Sequence, residues 1–242
     1  MSTPVTTTAP KPASVWEDFV DIFISPSQVF ARRQNGGFFV PLLVLTIVLV
    51  ALYFGTKSLF QPVMDAEFAR QTAAAMKANP QVTAAQMEKF RGYADTFGFL
   101  GYLFGIPIRV MLVGIILWAA GKLVESKQTV SAAMVVSSYA FFPLIVQQIV
   151  SALQAAVMDP AKLTGVASVS LSLARFMDPD KTSQLILGLA GRVDLFILWI
   201  TVLLAIGLSV TGKISRFRAG IAAAIVWLVG SLPVLLRALR AG

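Results

Sequence analysis

The sequence predicts an all-α, polytopic membrane protein with about five transmembrane helices, short amphipathic helices near the N-terminus and a helical hairpin in the first outer loop. Two observations predict this class. The composition is 57% hydrophobic and 13% charged with a mean hydropathy of +0.77, which exceeds what a soluble domain of this length can bury. Long uncharged runs also recur at close to the ~20 residues that cross ~30 Å of hydrocarbon.

The long apolar runs end at charged residues. The second of them, about residues 96–121, also carries a charge near its middle, Arg109. Two further uncharged runs, 163–174 and 182–191, are too short to span and are predicted to lie on the membrane surface as helices. Counts of four or six spans are the alternatives. The five predicted spans cover about residues 38–57, 96–121, 129–158, 193–212 and 217–237.

The N-terminal region divides into two parts. Residues 1–13 are polar and rich in Thr and Pro, which predicts a disordered tail rather than a signal peptide. Residues 14–37 predict two short cytoplasmic amphipathic helices, because Ser14-Val15-Trp16-Glu17 and Ser25-Pro26-Ser27-Gln28 both fit the capping box. Gly36 and Gly37 predict a left-handed cap at the end of the second helix.

An aromatic stripe marks the first of these helices. Trp16, Phe19 and Phe23 fall on one helical face and are candidates for an interaction surface, whereas Glu17, Asp18 and Asp21 share the opposite, polar face. Contact with the membrane surface is one interpretation. Because an acidic face is repelled by anionic lipid, packing of the stripe on the spans is the alternative.

The charges of the short loops predict the orientation. Lys213, Arg216 and Arg218 lie unopposed by acids between spans four and five, and Lys122 and Lys127 outnumber the acid between spans two and three. Cytoplasmic loops carry such an excess of basic residues. We therefore predict a multi-pass protein of the cell (inner) membrane with its N-terminus in the cytoplasm and its C-terminus outside.

The first outer loop predicts a helical hairpin. Residues 61–78 are helical in composition, Asn79-Pro80 breaks the helix, and Thr83 to Gln86 fits another capping box. The apolar residues of the hairpin either close a cavity or shield the ends of the spans.

Arg109 is the polar residue that most needs an explanation, because a guanidinium at the bilayer centre costs about 2.5–3.5 kcal/mol on insertion scales. The carbonyl freed by Pro107, the Gln147 and Gln148 pair of span three, or Asp194 are the candidate partners. With Tyr139 these residues form the candidate intramembrane polar site. The alternatives are a structural role for Arg109 between helices, or a shifted span.

The residue types argue against catalysis. The sequence has no cysteine and no histidine, which removes disulfides, thiolates, imidazole bases and His or Cys metal sites. No acid lies inside the apolar run of a predicted span, since Asp194 stands at the mouth of span four, and no glycine-rich phosphate loop or nucleic-acid module is present. We predict no enzyme, no cofactor, no catalytic residue and no metal site. Membrane lipids, anionic ones included, further copies of the chain or other membrane proteins are the expected partners, and nucleic acid is not.

The order of several short motifs resembles the bacterial branch of the Yip family, the Ypt/Rab-interacting membrane proteins. These motifs are Ser25-Pro26 followed by Val29-Phe30, Ser138-Tyr139-Ala140-Phe141-Phe142-Pro143 in span three, and Asp194-Leu195-Phe196-Ile197-Leu198-Trp199 at the start of span four. The resemblance covers about residues 15–240 and implies a Yip-like membrane domain of five helices at 38–240, with a cytosolic N-terminus.

The resemblance also limits what is expected of partners. Eukaryotic members of the family bind prenylated small GTPases and one another, and help to shape and traffic membranes. Their cytosolic Asp-Leu-Tyr-Gly-Pro motif has no counterpart before span one, so GTPase binding is not expected here. Of two functions, the sequence favours an interaction or membrane-organising protein. The alternative is a transporter or lipid-handling protein with an anion-binding site around Arg109.

Overall fold

The structure, a computed structural model, describes the backbone of residues 14–241 and the side chains of residues 14–236. The predicted tail at 1–13 lies outside the described residues. Within them the chain forms helices and no β-strand, apart from one isolated bridge between Ser172 and Asp194. The helices are α1 (Val15–Ile24), α2 (Pro26–Arg33), α3 (Phe39–Ala78), α4 (Ala84–Phe97), α5 (Ile106–Leu123), α6 (Val130–Ala140), α7 (Pro143–Val157), α8 (Gln184–Arg192), α9 (Leu195–Gly212), α10 (Arg216–Val229) and α11 (Leu232–Ala241).

Five helical segments of the described chain are long and apolar enough to cross a membrane, which confirms the predicted count. They are Phe39–Ala78, Gly101–Leu123, Val130–Val157, Leu195–Gly212 and Arg216–Leu236. The third and fifth segments each contain a break between two helices, α6 to α7 and α10 to α11. The break in the third segment precedes Pro143, which has no N–H to continue the helix.

The helical hairpin after the first span is confirmed, and its first arm is longer than expected. Helix α3 continues unbroken to Ala78 and contains Pro62, so the span and the first arm are one helix. Thr83 caps α4, and the side chains of Thr83 and Gln86 satisfy each other's backbone N–H groups as the capping box requires. The side chain of Lys57 donates to the carbonyl oxygen of Asp95 at 3.1 Å, which ties the base of the second arm to α3.

The capping predictions near the N-terminus have mixed outcomes. The box at Ser14 and Glu17 is present. Ser25 makes no side-chain cap, and Gln34 ends α2 in an ordinary right-handed conformation, so the second box and the left-handed glycine cap were wrong. The surface helix predicted at 163–174 is replaced by short 3₁₀ turns at Val166–Val169 and Leu173–Phe176, whereas the one at 182–191 corresponds to α8.

Helix α6 lies at the centre of the bundle. It contacts α1, α2, α3, α5 and α9, and each of its residues from Ala132 to Ala140 is buried. Small residues let the helices approach closely at this level. A side chain at Gly114 would collide with Met134 and Ser137, and one at Gly207 would collide with Val136. The polar third span therefore faces the interior, as predicted.

Helices α1 and α2 form an antiparallel pair, which we call the N-terminal hairpin. It packs beside α9. The ring centroids of Phe23 and Trp199 lie 5.6 Å apart, and the buried Phe30 lies against Gly207. These contacts lie on α9 at Trp199 and Gly207. Of the two interpretations of the aromatic stripe, the structure favours packing on the spans for Phe19 and Phe23.

Candidate functional site

Arg109 occupies the first turns of α5, directly after a π-helical stretch at Gly101–Gly105. Its guanidinium lies over the ring of Phe141, with 5.4 Å between the Cζ atom and the ring centroid. The residue is exposed, and it makes no hydrogen bond or ion pair with any residue of the described chain. Phe141 stands at the break between α6 and α7, so the ring that stabilises the cation is positioned by that break.

Arg109 lines a cavity of about 590 Å³, which we call the Arg109 cavity. Helices α3, α4, α5 and α7 and residues 166–170 surround it. The volume falls within the ~300–1,000 Å³ of typical small-molecule sites. Lys57, Gln61 and Asp95 line the end near the α3–α4 hairpin, whereas Leu49 and Leu144 lie deeper between the spans. The cavity thus combines a polar end, apolar walls and one unpaired cation.

Two glutamines of α7 contribute polar groups to the Arg109 cavity. Gln148 donates through Nε2 to Thr56 Oγ1 at 3.2 Å and accepts the hydroxyl of Tyr102 at 3.5 Å. Gln147 lines this cavity and also a second one of about 640 Å³. The structure therefore brings Arg109, Gln147 and Gln148 to one cavity, as the sequence analysis grouped them.

Asp194 lies in the wall of the second cavity and not beside Arg109. It caps α9, where its Oδ1 accepts the N–H groups of Phe196 at 2.8 Å and Ile197 at 3.2 Å. Its Oδ2 is buried and has no partner within the described part of the chain. The local role of Asp194 is that of a helix cap, because a carboxylate at this position satisfies N–H groups that the helix leaves unpaired.

Arg192 adds a second positive charge near Arg109. It donates to the carbonyl oxygen of Trp227 at 3.1 Å and to Ser231 Oγ at 3.2 Å. Burial lowers the pKa of the Arg192 guanidinium from its ordinary value, and the positive charge of Arg109 lowers it further. The two arginines thus repel each other, and a bound anion would relieve that repulsion.

Tyr139 belongs to a separate polar cluster that the sequence analysis missed. Its hydroxyl donates to Asp18 Oδ2 at 3.2 Å. The carboxylate of Asp18 is fully buried and also accepts Nε of Arg32 and Nε of Arg33, both at 2.5 Å. We call Asp18, Arg32, Arg33 and Tyr139 the Asp18 cluster. It joins the N-terminal hairpin to the central helix α6.

The predicted interaction surface is divided by the structure. The ring of Phe19 stacks on Phe142 with 5.0 Å between centroids, and Phe23 contacts Trp199. Trp16 is 72% exposed and touches Phe19 edge to face. Two of the three aromatic residues are therefore engaged within the bundle.

The family of the chain follows from its sequence as a whole. The family model of the Yip1 domain matches residues 20–237, which is most of the chain. The chain belongs to the Yip1 domain family. No curated protein and no solved structure matches it. With five apolar segments of spanning length, this Yip1-domain protein is a multi-pass integral membrane protein.

Proposed function

We propose that this Yip1-domain protein is a non-catalytic, lipid-handling membrane protein that binds the phosphate of an anionic amphiphile in the Arg109 cavity. The observation that carries the proposal is the guanidinium of Arg109, which lines the cavity over Phe141 and has no carboxylate partner within the described chain. Membrane-embedded arginines normally pair with an anion or a carbonyl group, or reach water.

The energetics favour an anionic ligand. Placing an arginine in the centre of a span costs about 2.5–3.5 kcal/mol, and a cation–π contact returns about 0.5–2 kcal/mol. A phosphate supplies the missing negative charge and accepts two parallel N–H groups of a guanidinium, a geometry that lysine does not match. The positive charge of Arg192 adds to that of Arg109.

The shape of the cavity favours an amphiphile over a free ion. Lys57 and Gln61 at its polar end suit a headgroup, and Leu49, Phe60 and Leu144 offer apolar contact to an acyl chain. A small inorganic anion would leave most of this apolar wall uncovered. Lipid phosphate and free phosphate share the same recognition chemistry at Arg109, so the experiment must separate them.

The interaction or membrane-organising role has less support from the contacts. Of its three candidate residues, Phe19 and Phe23 pack on the bundle and Trp16 is left exposed. Self-association or capture of another membrane protein would therefore depend on Trp16 and on the outer faces of the spans.

We also propose the cell membrane as the location, with the N-terminal hairpin on the cytoplasmic side and the C-terminus outside. Four basic residues support this orientation, because they lie in or directly beside the two short loops at one end of the bundle: Lys122, Lys127, Lys213 and Arg218. The polar end of the Arg109 cavity lies near Lys57, at the opposite end of the first span, and therefore opens toward the outer leaflet. We further propose that the protein belongs to the bacterial branch of the family and does not bind GTPases.

The test measures retention of a fluorescent phosphatidic acid by the protein in nanodiscs of phosphatidylcholine. We expect Arg109→Gln to lower the affinity about tenfold or more, because a charge-assisted hydrogen bond contributes about 1.5–3 kcal/mol. The matched control is Arg218→Gln, which removes an exposed arginine far from the cavity and should bind as the wild type does.

Competition separates the two sources of phosphate. Unlabelled phosphatidic acid should displace the probe, whereas millimolar inorganic phosphate should not. Displacement of the probe by inorganic phosphate at that concentration would show that the ligand of the site is a free anion and not a lipid. Equal retention by wild type and Arg109→Gln would overturn the proposed site.

A further inference from the structure

The outward face of α1 carries an apolar stripe that no described residue covers. Trp16, Val20 and Ile24 recur at every fourth position and are 72%, 61% and 74% exposed. The opposite face of the same helix buries Asp18 and Ile22. In water such a stripe would leave three large side chains hydrated at a cost of about 1.5–3 kcal/mol each. Its surroundings must therefore be apolar.

The depth of the stripe follows from the contacts of the N-terminal hairpin with α9. Helix α9 has 18 residues and is about 27 Å long at 1.5 Å per residue, so it has no length to spare in crossing ~30 Å of hydrocarbon. The hairpin touches α9 at Gly207 and again at Trp199. Trp199 is the fifth residue of α9, so the tip of the hairpin lies beyond the middle of this span.

A second contact gives the same depth. Phe19 stacks on Phe142, which lies at the break in the middle of the third spanning segment, Val130–Val157. Leu198 and Val202 of α9 are exposed at the level of the hairpin tip. Apolar side chains that face outward from a span at this depth contact lipid.

Backbone groups at the tip of the hairpin are hydrogen-bonded, which lowers the cost of placing the tip inside a membrane. At the tip, the N–H of Ser25 donates to the carbonyl oxygen of Asp21 at 2.6 Å, and the carbonyl oxygen of Ser25 accepts the N–H of Gln28 at 3.0 Å. Ser25 alone joins α1 to α2, and both of its backbone groups are hydrogen-bonded.

Four of the charged side chains of the hairpin form ion pairs with one another, whereas Glu17 lies at its outer end and accepts the N–H of Ser14. Asp18 receives Arg32 and Arg33, and Arg32 also donates to Asp21 at 2.5 Å. The polar groups of the hairpin therefore lie in two places. One is the contact between α1, α2 and α6, and the other is the outer face of α2, which carries Gln28 and Arg32. Only α1 presents an apolar outer surface.

We propose that the N-terminal hairpin is a re-entrant element of the membrane, and that the stripe of Trp16, Val20 and Ile24 contacts the acyl chains of the surrounding lipid. Acyl chains are the partner because the stripe lies at the depth of α9 and beside its outward-facing residues. The stripe lies on α1, none of whose residues lines the Arg109 cavity, and the proposal does not depend on lipid binding there.

The test uses the absence of cysteine from the sequence, since every single-cysteine variant then carries one label. Trp16→Cys, Val20→Cys and Ile24→Cys are labelled with bimane in nanodiscs, with Lys127→Cys, in the exposed loop after α5, as the aqueous control. Fluorescence is quenched either by iodide in water or by lipids with a spin label on the acyl chain.

Ile24→Cys should be quenched several-fold more by the acyl-chain spin label than by iodide, and Lys127→Cys should show the reverse. The spin-label effect should increase in the order Trp16, Val20, Ile24, and this gradient tests the proposal even if one variant does not fold. Iodide quenching of Ile24→Cys as strong as that of Lys127→Cys would overturn the re-entrant position. Quenching by neither agent would place a second protein on the stripe and would overturn the choice of lipid.

Discussion

The Asp18 cluster makes the most quantitative prediction, because one fully buried carboxylate receives two arginines and a tyrosine hydroxyl. Asp18→Asn keeps the size of the side chain and removes its charge. Breaking a buried ion pair on one side costs about 3–5 kcal/mol. The arginine side chains each keep 26% of their area accessible, so water recovers part of the loss, and we expect about 2–3 kcal/mol.

The assay is reversible unfolding in mixed micelles with increasing dodecyl sulfate, followed by circular dichroism. The matched control is Asp21→Asn, because Asp21 pairs with Arg32 alone and is 35% exposed. An exposed pair of this kind contributes at most about 1 kcal/mol. If Asp18→Asn lost no more stability than Asp21→Asn, the cluster would not anchor the N-terminal hairpin, and the reasoning from burial would be wrong.

Two further substitutions test the packing of the bundle by the same unfolding assay. Gly207→Ala should destabilise the protein by about 1–3 kcal/mol, because the new Cβ would collide with Val136. Gly220→Ala is the control, since no atom lies within 4 Å of its new Cβ, and it should be neutral or stabilising by up to about 1 kcal/mol. Equal effects of the two alanines would contradict the packing. Gln148→Leu should cost about 0.6–1.7 kcal/mol by removing the hydrogen bond to Thr56, and a gain in stability would show that this bond contributes nothing.

The spans and the hairpin of the first outer loop could be predicted because their signals are local. Each span is a run of apolar residues ended by charges, and each confirmed capping box lies within four consecutive residues, as at Thr83 and Gln86. Helix α3 continues past Lys57 because nothing in the following residues breaks a helix until Asn79-Pro80. Pro62 does not end it, so a single proline was tolerated near the end of the span.

The Asp18 cluster could not be predicted because its contacts are distant in sequence. Asp18 lies beside Glu17 and Asp21 on a face that is acidic in the sequence, and periodicity alone places all three outside. Its partners are 14 and 15 residues away in α2 and 121 residues away at Tyr139. The neighbouring Arg32 and Arg33 were a usable signal, since two short helices in succession can fold back on each other and bring opposite charges together.

The surroundings of Arg109 were predicted in part. Its place in a span and the nearness of Gln147 and Gln148 to one cavity agree with the sequence analysis, although neither glutamine bonds to it. The ring of Phe141 was missed, because aromatic residues in a span are common and carry no sign that they will face a cation. Gly101 and Gly105 have open space at their Cβ positions, whereas Gly114 and Gly207 stand where helices approach closely.

The most direct test of the Arg109 cavity is native mass spectrometry of the protein ejected from its own membrane vesicles without exchange into detergent. Wild type and Arg109→Gln are compared, with Arg218→Gln as the control. We predict that an anionic lipid stays bound to the wild type and to the control and is lost from Arg109→Gln. The same lipids on all three proteins, or a defined oligomer with no bound lipid, would contradict lipid binding at Arg109 and favour an organising role.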